Sequence, residues 1–285
     1  MTDPFKIDSP TCISFSGGRT SAYMLWRVLQ SNQGLPAEAV VCFANTGKED
    51  EATLNFVDRC SKEWNVPIVW LEYRSKKIDE RHFAVVDFET ASRQGEPFEQ
   101  VISDKKFLPN PYARFCTVEM KIKPIHRHLK SMGFEEWDTM VGIRADEARR
   151  VAKIRSGGRD DTPFETKVVP LAQSGVTTAD VLEFWKNSPF DLELVSVQGN
   201  TMWGNCDLCF LKSADKLRSL IQQKPERAKW WIAQEERIRG LGKFSGEGAK
   251  FHSQRLSYQQ MYDFALSQTD WVGHGDEDIA CFCGD

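Results

Sequence analysis

Residues 14–21, SFSGGRTS, decide how the rest of this sequence is interpreted. The mostly apolar residues 11–13 precede this stretch and suit the end of a buried strand. Apolar side chains then recur at helical spacing through residues 22–29, AYMLWRVL. The pattern therefore predicts a strand, a glycine-rich turn and a helix, in that order.

The turn has the composition of a phosphate-binding cradle. Gly17 and Gly18 permit backbone conformations that are closed to other residues. Free N–H groups at a helix start attract anions. The hydroxyl groups beside them belong to Ser16, Thr20 and Ser21. The turn matches neither the GxxxxGK[ST] pattern nor the GxGxxG pattern of other nucleotide sites. A plain tight turn with a good helix start is the alternative.

Composition narrows the class of protein. The chain has 285 residues, a formal net charge of −4 and eight cysteines. This charge provides no global basic field of the kind that marks nucleic-acid binders. We find no signal-peptide pattern and no apolar run that could cross a membrane, so we expect a cytoplasmic protein without membrane contact. Cysteines in that compartment are more often thiols or metal ligands than disulfides. The oligomeric state is left open.

Strand and helix patterns alternate after the first helix. Residues 39–44, AVVCFA, form a continuous apolar run typical of a buried parallel strand. Further strands are predicted at 67–73, 139–143 and 167–171. Residues 74–113 have a looser pattern, which favours a long loop over the site. The alternation predicts an α/β fold with ligands at the carboxyl ends of parallel strands.

The last third of the chain has a different pattern. We place a domain boundary near Ser174, between an α/β domain of residues 1–174 and a mostly helical region of residues 175–285. Within that region a long amphipathic helix is predicted from about residue 215 to 238.

Five cysteines are candidate metal ligands. Cys206 and Cys209 form a CxxC pair, Cys116 lies well upstream, and Cys281 and Cys283 are near the end. Four thiolates suit Zn²⁺ or an iron–sulfur cluster equally well by type, and a CxxC can also be a redox dithiol or a coincidence. One close pair with two distant single cysteines is nearer to a cluster that joins separate segments. The remaining cysteines are interpreted as small core residues: Cys12, Cys42 and Cys60.

Basic side chains concentrate beside Cys116 and after the strand at 139–143. The first group consists of Lys121, Lys123, His126, Arg127, His128 and Lys130. It is either a solvated helix face or a surface for an anionic substrate, a nucleotide or a nucleic acid. Arg144 could hold phosphate or sulfate, with a surface ion pair as the alternative. Arg149 and Arg150 are weaker candidates.

Five segments in order resemble motifs of the phosphoadenosine phosphosulfate (PAPS) reductase family, within the adenine nucleotide α-hydrolase group. They are residues 14–21 (its PP-loop), 43–47 (F-x-D/N-T-G), 114–124 (R-x-C-T-x-x-x-K-x-x-P), 141–149 (G-x-R-x-x-E-S-x-x-R) and 204–209 (G-C-x-x-C). Each motif is weak alone, but five in the same order are specific. The resemblance covers residues 11–213.

The resemblance implies a Rossmann-like sheet, adenine nucleotide α-hydrolase-like, that binds ATP or another adenine nucleotide at its strand ends. Carried over residue by residue, the binding set is Ser16, Gly17, Gly18, Arg19, Thr20, Ser21, Asn45, Thr46 and Gly47. A simple helix start is the alternative for the last two. Arg19 and Thr20 replace the common Lys and Asp of the PP-loop, and Arg19 keeps the charge that can grip phosphate. Mg²⁺ is left open as a companion of ATP.

Some branches of the family carry a [4Fe-4S] cluster, which the resemblance implies for Cys116, Cys206 and Cys209. Cluster-bearing sulfonucleotide reductases have tandem cysteines where this chain has Phe115-Cys116. A fourth ligand must then come from Cys283 or Cys281. The other of these two is a candidate nucleophile or sulfur carrier, and the sequence does not assign the two roles.

Three functions follow from the resemblance. The first is an ATP-dependent sulfurtransferase that adenylates an acceptor, nucleic acid in the favoured version, while the cradle and Arg144 stabilise phosphoryl charge. Sulfur from a donor, held at the [4Fe-4S] cluster or on a terminal cysteine, then displaces AMP. The second is a sulfonucleotide reductase with a terminal cysteine nucleophile and a thioredoxin-like reductant. The third is a non-catalytic nucleotide-binding iron–sulfur module. We favour sulfur transfer, because the tandem cysteines and the terminal E-C-G-x-H of the reductases are missing.

Overall fold

The structure is a computed structural model that describes residues 3–157, 162–197, 200–241 and 249–267. Within these residues a six-stranded sheet has the order β4-β3-β2-β1-β5-β6. The strands are β1 Thr11–Phe15, β2 Ala39–Asn45, β3 Ile68–Tyr73, β4 Phe83–Val86, β5 Trp137–Val141 and β6 Glu165–Val168. All neighbours pair in parallel except β3 and β4, which are antiparallel. The predicted α/β fold with a Rossmann-like, mostly parallel sheet is confirmed.

Helices cover both faces of the sheet and form the region that follows it. They are α1 Arg19–Asn32, α2 Glu51–Glu63, α3 Glu96–Lys105, α4 Phe115–Thr117, α5 Lys123–Ser131, α6 Ala148–Arg155, α7 Pro170–Gln173, α8 Thr178–Lys186, α9 Ala214–Gln223, α10 Ala228–Gly240 and α11 Tyr258–Ser267. A π-helical turn, Val118–Ile122, joins α4 to α5. A two-stranded ribbon pairs β7 Ser196–Val197 with β8 Asn200–Thr201.

The central strands are buried, which explains their continuous apolar sequence pattern. All seven residues of β2 are buried, as expected for a parallel strand covered on both faces. On one face, Ile13 and Phe43 join the large core beneath α1 and α2. On the other face, Cys12 and Cys42 join a smaller core together with Leu129 of α5. The cysteines predicted to be core residues, Cys60 included, are fully buried.

Two expectations about elements are wrong. The long helix predicted from about residue 215 to 238 is interrupted, because α9 ends at Gln223 and Pro225 begins a 3₁₀ turn before α10. Proline has no N–H for the helical ladder and disfavours the α conformation in Lys224 before it. Residues 74–113 are not merely a loop, because they contain β4 and α3.

The boundary proposed at Ser174 stays a prediction. The large buried core includes residues on both sides of it, from Phe5 to Ala265. The indole N–H of Trp185 in α8 donates to the carbonyl of Arg19 at the start of α1, at 3.0 Å. Residues after position 174 therefore help to hold the helix that follows the glycine-rich turn. In the described parts of the chain, no helix combines the length and the apolar character that a membrane span requires.

Glu235 introduces a pH-dependent contribution to stability. Burial raises the pKa of its carboxyl group to about 7, although the backbone N–H groups of Phe251 and Tyr258 donate to it. The folded state therefore binds this proton more tightly than the unfolded chain, whose reference pKa is 4.5. The stabilisation is present below pH 4.5 and is lost as the pH rises through 7.

We expect Glu235→Gln to remove this dependence. Relative to the variant, the wild-type protein should lose up to about 3 kcal/mol of unfolding free energy between pH 4.5 and 7. Urea denaturation at several pH values measures the difference. Glu236→Gln, at the exposed neighbouring position, is the control and should follow the wild type. A constant difference between wild type and Glu235→Gln would contradict the assignment.

Candidate functional site

A cavity of about 620 Å³ opens at the carboxyl ends of β1, β2 and β5. Its floor is the sheet face that carries Ser14, Cys42 and Thr139, and its roof is the segment of α4, the π-helical turn and α5. Ser16 and Ser21 of the glycine-rich turn line one end. The cavity lies beside β1, where the sheet order changes direction between β2 and β5. Ligands of open α/β sheets bind at such a position.

The glycine-rich turn is held in shape by its serines. The Ser21 hydroxyl donates to the Gly18 carbonyl at 3.0 Å and accepts from the Ser16 N–H at 3.1 Å. Gly17 has a φ of +79°, and a Cβ there would lie 2.7 Å from the Thr53 methyl group. Only glycine fits both the backbone conformation and the space. The turn therefore presents the start of α1 to the cavity in one fixed arrangement.

Gly142, just after β5, packs directly against this turn. A Cβ on Gly142 would lie 3.0 Å from the Ser21 Cα and 3.2 Å from its backbone nitrogen. Two residues on, Arg144 donates from Nη1 to the Thr20 hydroxyl at 2.8 Å and from its backbone N–H to Glu147 at 2.9 Å. The structure therefore brings Arg144 to the cradle, while its Nε also pairs with Asp146 at 3.1 Å, and its role toward phosphate or sulfate stays a prediction.

The Arg19 side chain does not line the cavity. Its guanidinium makes two hydrogen bonds to the Asp191 carboxylate, at 2.7 and 2.8 Å, and a third to the Ser196 hydroxyl at 2.7 Å. This arrangement uses the planar fork of arginine on a carboxylate. The expectation that Arg19 grips phosphate stays a prediction. In this structure its side chain ties α1 to residues 191–196.

Arg150 is a candidate that sequence reasoning ranked low. Its side chain is 13% exposed, and Nη1 pairs with Glu147. Among the described residues, its Nε and Nη2 atoms have no hydrogen-bond partner although both are buried. Leaving buried cationic donors unpaired is costly, so Arg150 is a candidate anion ligand, although it does not line the cavity. Its neighbour Arg149 is exposed, and the sequence alone does not predict which of the two arginines is buried.

Asn45, Thr46 and Gly47 do not line the cavity. Asn45 is fully buried and donates to Glu72 at 2.7 Å. The Thr46 N–H and hydroxyl donate to the Glu49 carboxylate, at 2.8 to 2.9 Å. Their assignment to the nucleotide stays a prediction. In this structure the turn at the end of β2 supports the segment that carries the CxxC pair.

The CxxC pair is fixed on that turn by a buried ion pair. Lys48 Nζ lies 3.1 Å from the carboxylate of Asp207, the residue after Cys206, and both side chains are almost completely buried. The Asp207 N–H donates to the Lys48 carbonyl at 2.7 Å, and the Trp231 indole donates to the Asp207 carboxylate at 3.0 Å. This arrangement, which we call the Lys48–Asp207 clamp, sets the position of both thiols.

The two thiols of the pair have different surroundings. Cys206 is buried, with its sulfur 3.4 Å from the Thr46 hydroxyl, and burial together with the charge of Glu49 raises the pKa of its thiol. Cys209 is partly exposed, and its N–H donates to the Cys206 carbonyl at 3.2 Å. Lys121 opposes the pKa increase at both Cys206 and Glu49, so its ammonium group acts close to the CxxC pair.

The predicted cluster ligands are only partly assembled by the described residues. Cys206 and Cys209 are close in sequence and in the same turn, and Cys116 is a partly buried cysteine in α4. In those parts of the chain no three Cys, His, Asp or Glu side chains converge to hold a metal ion. Cys281 and Cys283 lie outside the described residues. The described side chains therefore do not by themselves provide a four-thiolate site.

The basic residues at 121–130 do not form one uniform surface. Lys121 and His126 line the cavity, and His126 is nearly buried. Lys123 pairs with Glu119 at 2.8 Å, and Arg127 donates to the His82 carbonyl at 3.3 Å. Some basic side chains of this segment therefore line the cavity, and others make contacts within the fold.

A mostly parallel sheet with a glycine-rich turn after its first strand, opening into a cavity at a change of strand order, defines an α/β fold of the nucleotide-binding type. Residues 10–192 match the family described as phosphoadenosine phosphosulfate reductase domain. The chain belongs to that family, which confirms the resemblance found in the sequence motifs.

A curated relative is the uncharacterized nin region protein ORF290 of Escherichia phage lambda. It is 31% identical over 213 residues, which cover 72% of this chain and 67% of the relative. Among solved structures, a PAPS reductase from Candida auris in a phosphate complex has a TM-score of 0.42 and 14% identity, covering 70% of this chain and 90% of that one. The U34-tRNA thiolase NcsA from Methanococcus maripaludis with its [4Fe-4S] cluster has a TM-score of 0.41 and 14% identity, covering 98% and 81%.

We expect Gly142→Ala to disturb the cradle, because the new methyl group would press on the backbone of Ser21. The unfolding free energy should fall by about 1–3 kcal/mol, and binding of ATP should weaken strongly. Denaturation and calorimetric titration measure the two effects. Gly240→Ala is the control, since a Cβ there meets nothing within 4 Å. Unchanged stability and binding in Gly142→Ala would show that the contact does not constrain the cradle.

We expect Asp207→Asn to destabilise the fold by about 3–5 kcal/mol, because it leaves the Lys48 cation buried without its partner. Replacing both partners, Lys48→Met with Asp207→Leu, should recover part of this loss. Asp58→Asn removes the more exposed pair with Lys62 and should have a much smaller effect. Equal effects of the two aspartate substitutions in urea denaturation would refute the clamp.

Proposed function

We propose that this protein is an enzyme that binds an adenine nucleotide in the cavity and uses it for sulfur transfer to an ATP-activated acceptor. The observation that carries the proposal is the fixed cradle of residues 16–21, which opens into a cavity of about 620 Å³. Membership of the PAPS reductase domain family supports the adenine nucleotide.

The phosphates would lie between the cradle and Arg144. The start of α1 offers unpaired N–H groups, and its positive dipole end favours an anion. Arg144 is already hydrogen-bonded to the cradle through Thr20. These groups would stabilise the charge that develops on phosphoryl oxygens when an acceptor oxygen attacks the α-phosphorus and pyrophosphate leaves.

The acceptor in this proposal is a nucleic acid. Tyr112 lines the mouth of the cavity and is 82% exposed, which suits stacking against an unpaired base. Arg114, Lys121 and Lys153 also line the cavity and place positive charge where a phosphate backbone would approach. A sulfur nucleophile from a donor would then displace AMP from the adenylated acceptor.

Cys116, Cys206, Cys209 and Cys283 are the proposed ligands of a [4Fe-4S] cluster, with Cys281 as the alternative fourth ligand. The Lys48–Asp207 clamp supports two of these thiols, and Lys121 acts close to Cys206 from the segment that begins near Cys116. A bound cluster would supply iron able to hold sulfide. The described residues assemble only the CxxC pair, so no step of the proposed reaction depends on the cluster.

Anaerobic purification followed by iron and sulfide analysis tests the cluster. We expect about four irons per chain in the wild type and a marked loss in Cys206→Ala. Cys60→Ala is the matched control, because Cys60 is a buried cysteine of α2 within the large core. Zinc or no metal in the wild type would overturn the cluster assignment.

Product analysis tests the activity. Pyrophosphate release from ATP that requires an added RNA or DNA acceptor is the expected outcome. Sulfite release from PAPS or adenylyl sulfate with thioredoxin would instead identify a sulfonucleotide reductase, and nucleotide binding without turnover would identify a non-catalytic module.

A further inference from the structure

A groove of about 450 Å³ lies on the face of the sheet opposite to the cavity. It is formed by α1, the end of α2, and α8 with the residues that follow it. These three helices contribute to the large core beneath Ile13 and Phe43, whereas the cavity lies on the sheet face that carries Cys42. A partner held in this groove would therefore leave the cavity open.

Four aromatic side chains form the two walls of this space, which we call the aromatic groove. One wall is Trp26 with Phe184, whose ring centroids are 4.7 Å apart, and the other is Trp64 with Phe190, at 5.7 Å. The buried Trp185 joins the walls, because its ring lies 4.9 Å from Phe184 and 5.7 Å from Phe190. Trp26, Trp64 and Phe184 remain partly exposed. Clustered, partly exposed tryptophans are typical of interaction surfaces.

Each wall has a carboxylate at its rim. Glu63 and Glu183 line the groove, both are exposed, and each directly precedes an aromatic residue of a wall. The chain's own Arg59 shows what such a wall binds. Its guanidinium carbon lies over the Phe190 ring, 5.0 Å from the centroid, and its Nε is 3.7 Å from the Glu63 carboxylate. The wall thus combines a cation–π contact with a charge pair.

The other wall offers the same chemistry without a cation of its own. Among the described residues, no cation lies over the Trp26 or Phe184 ring, and the Glu183 carboxylate has no ion-pair partner. The nearby Arg27 places its guanidinium over the Phe5 ring instead, 4.4 Å from the centroid. An exposed carboxylate beside partly exposed rings attracts a guanidinium from outside.

We propose that the aromatic groove docks an arginine side chain presented by a partner protein. The planar guanidinium stacks on the Trp26 ring while its N–H fork reaches the Glu183 carboxylate. Arginine suits this place better than lysine, whose ammonium group is neither planar nor forked. The inference does not rest on the proposed function, because the groove and the cavity are on opposite faces of the sheet.

Titration of the isotope-labelled protein with an N-acetylated, C-amidated GGRGG pentapeptide tests the proposal by NMR. We expect a saturable shift of the Trp26 indole N–H signal, which is assigned by its absence in Trp26→Phe. The same peptide with citrulline, the neutral analogue of arginine, should bind at least about tenfold more weakly, because the charged hydrogen bond is lost. Free L-arginine should also bind more weakly than the peptide, because Glu63 and Glu183 repel its carboxylate.

Glu183→Gln should weaken binding of the arginine peptide about threefold, as expected for an exposed charge pair. Its side chain is exposed, so the variant should fold. Glu136→Gln, at an exposed position just before β5, is the control and should keep the wild-type affinity. Absence of a saturable Trp26 shift, equal binding of the citrulline peptide, or unchanged affinity in Glu183→Gln would overturn the inference. Tighter binding of free L-arginine would identify a small-molecule site and would overturn it too.

Discussion

The contact between Gly142 and the backbone of Ser21 is the constraint on which the site depends. It lets the end of β5 approach the start of α1 more closely than most Cβ contacts allow. That approach places Arg144 within hydrogen-bond distance of Thr20. It also keeps one end of the cavity between the cradle and the sheet, because β1 and β5 are neighbours in a rigid parallel ladder. The cradle is thus shaped by the sheet and not by its own residues alone.

A second constraint connects the CxxC pair to the same sheet. Burying Lys48 and Asp207 together has a desolvation cost that their attraction only offsets when the geometry is good. Such a pair adds little net stability, but removing one partner leaves a buried charge without its ion pair. The pair holds the cysteine segment against the turn after β2, and Arg19 with Asp191 similarly fastens residues 191–196 to α1. Both pairs join parts of the chain that are distant in sequence.

The order of the strands and helices was predictable from the sequence, whereas the hydrogen-bond partners of the site residues were not. The buried runs at β1 and β2 and the glycines at 17 and 18 carry local signals, since strand burial and turn conformation depend on neighbouring residues. From the sequence alone, Arg19 is predicted to be a phosphate ligand. The fold shows that its guanidinium is paired with Asp191. Asn45 similarly turns inward to Glu72. Pro225 did carry a local signal against a continuous helix, and the amphipathic pattern around it obscured that signal.

The charge of Lys121 acts on both the cavity and the turn that holds the CxxC pair. It lines the cavity, and its charge acts on Glu49 and Cys206 against the effect of burial on their pKa values. The helical segment that carries it begins at α4, where Cys116 lies. One cation therefore faces both the space for a phosphorylated ligand and the turn that holds the CxxC pair. Because electrostatic interactions away from bulk water are only weakly screened, an anion bound beside Lys121 would weaken the effect of this cation on Cys206.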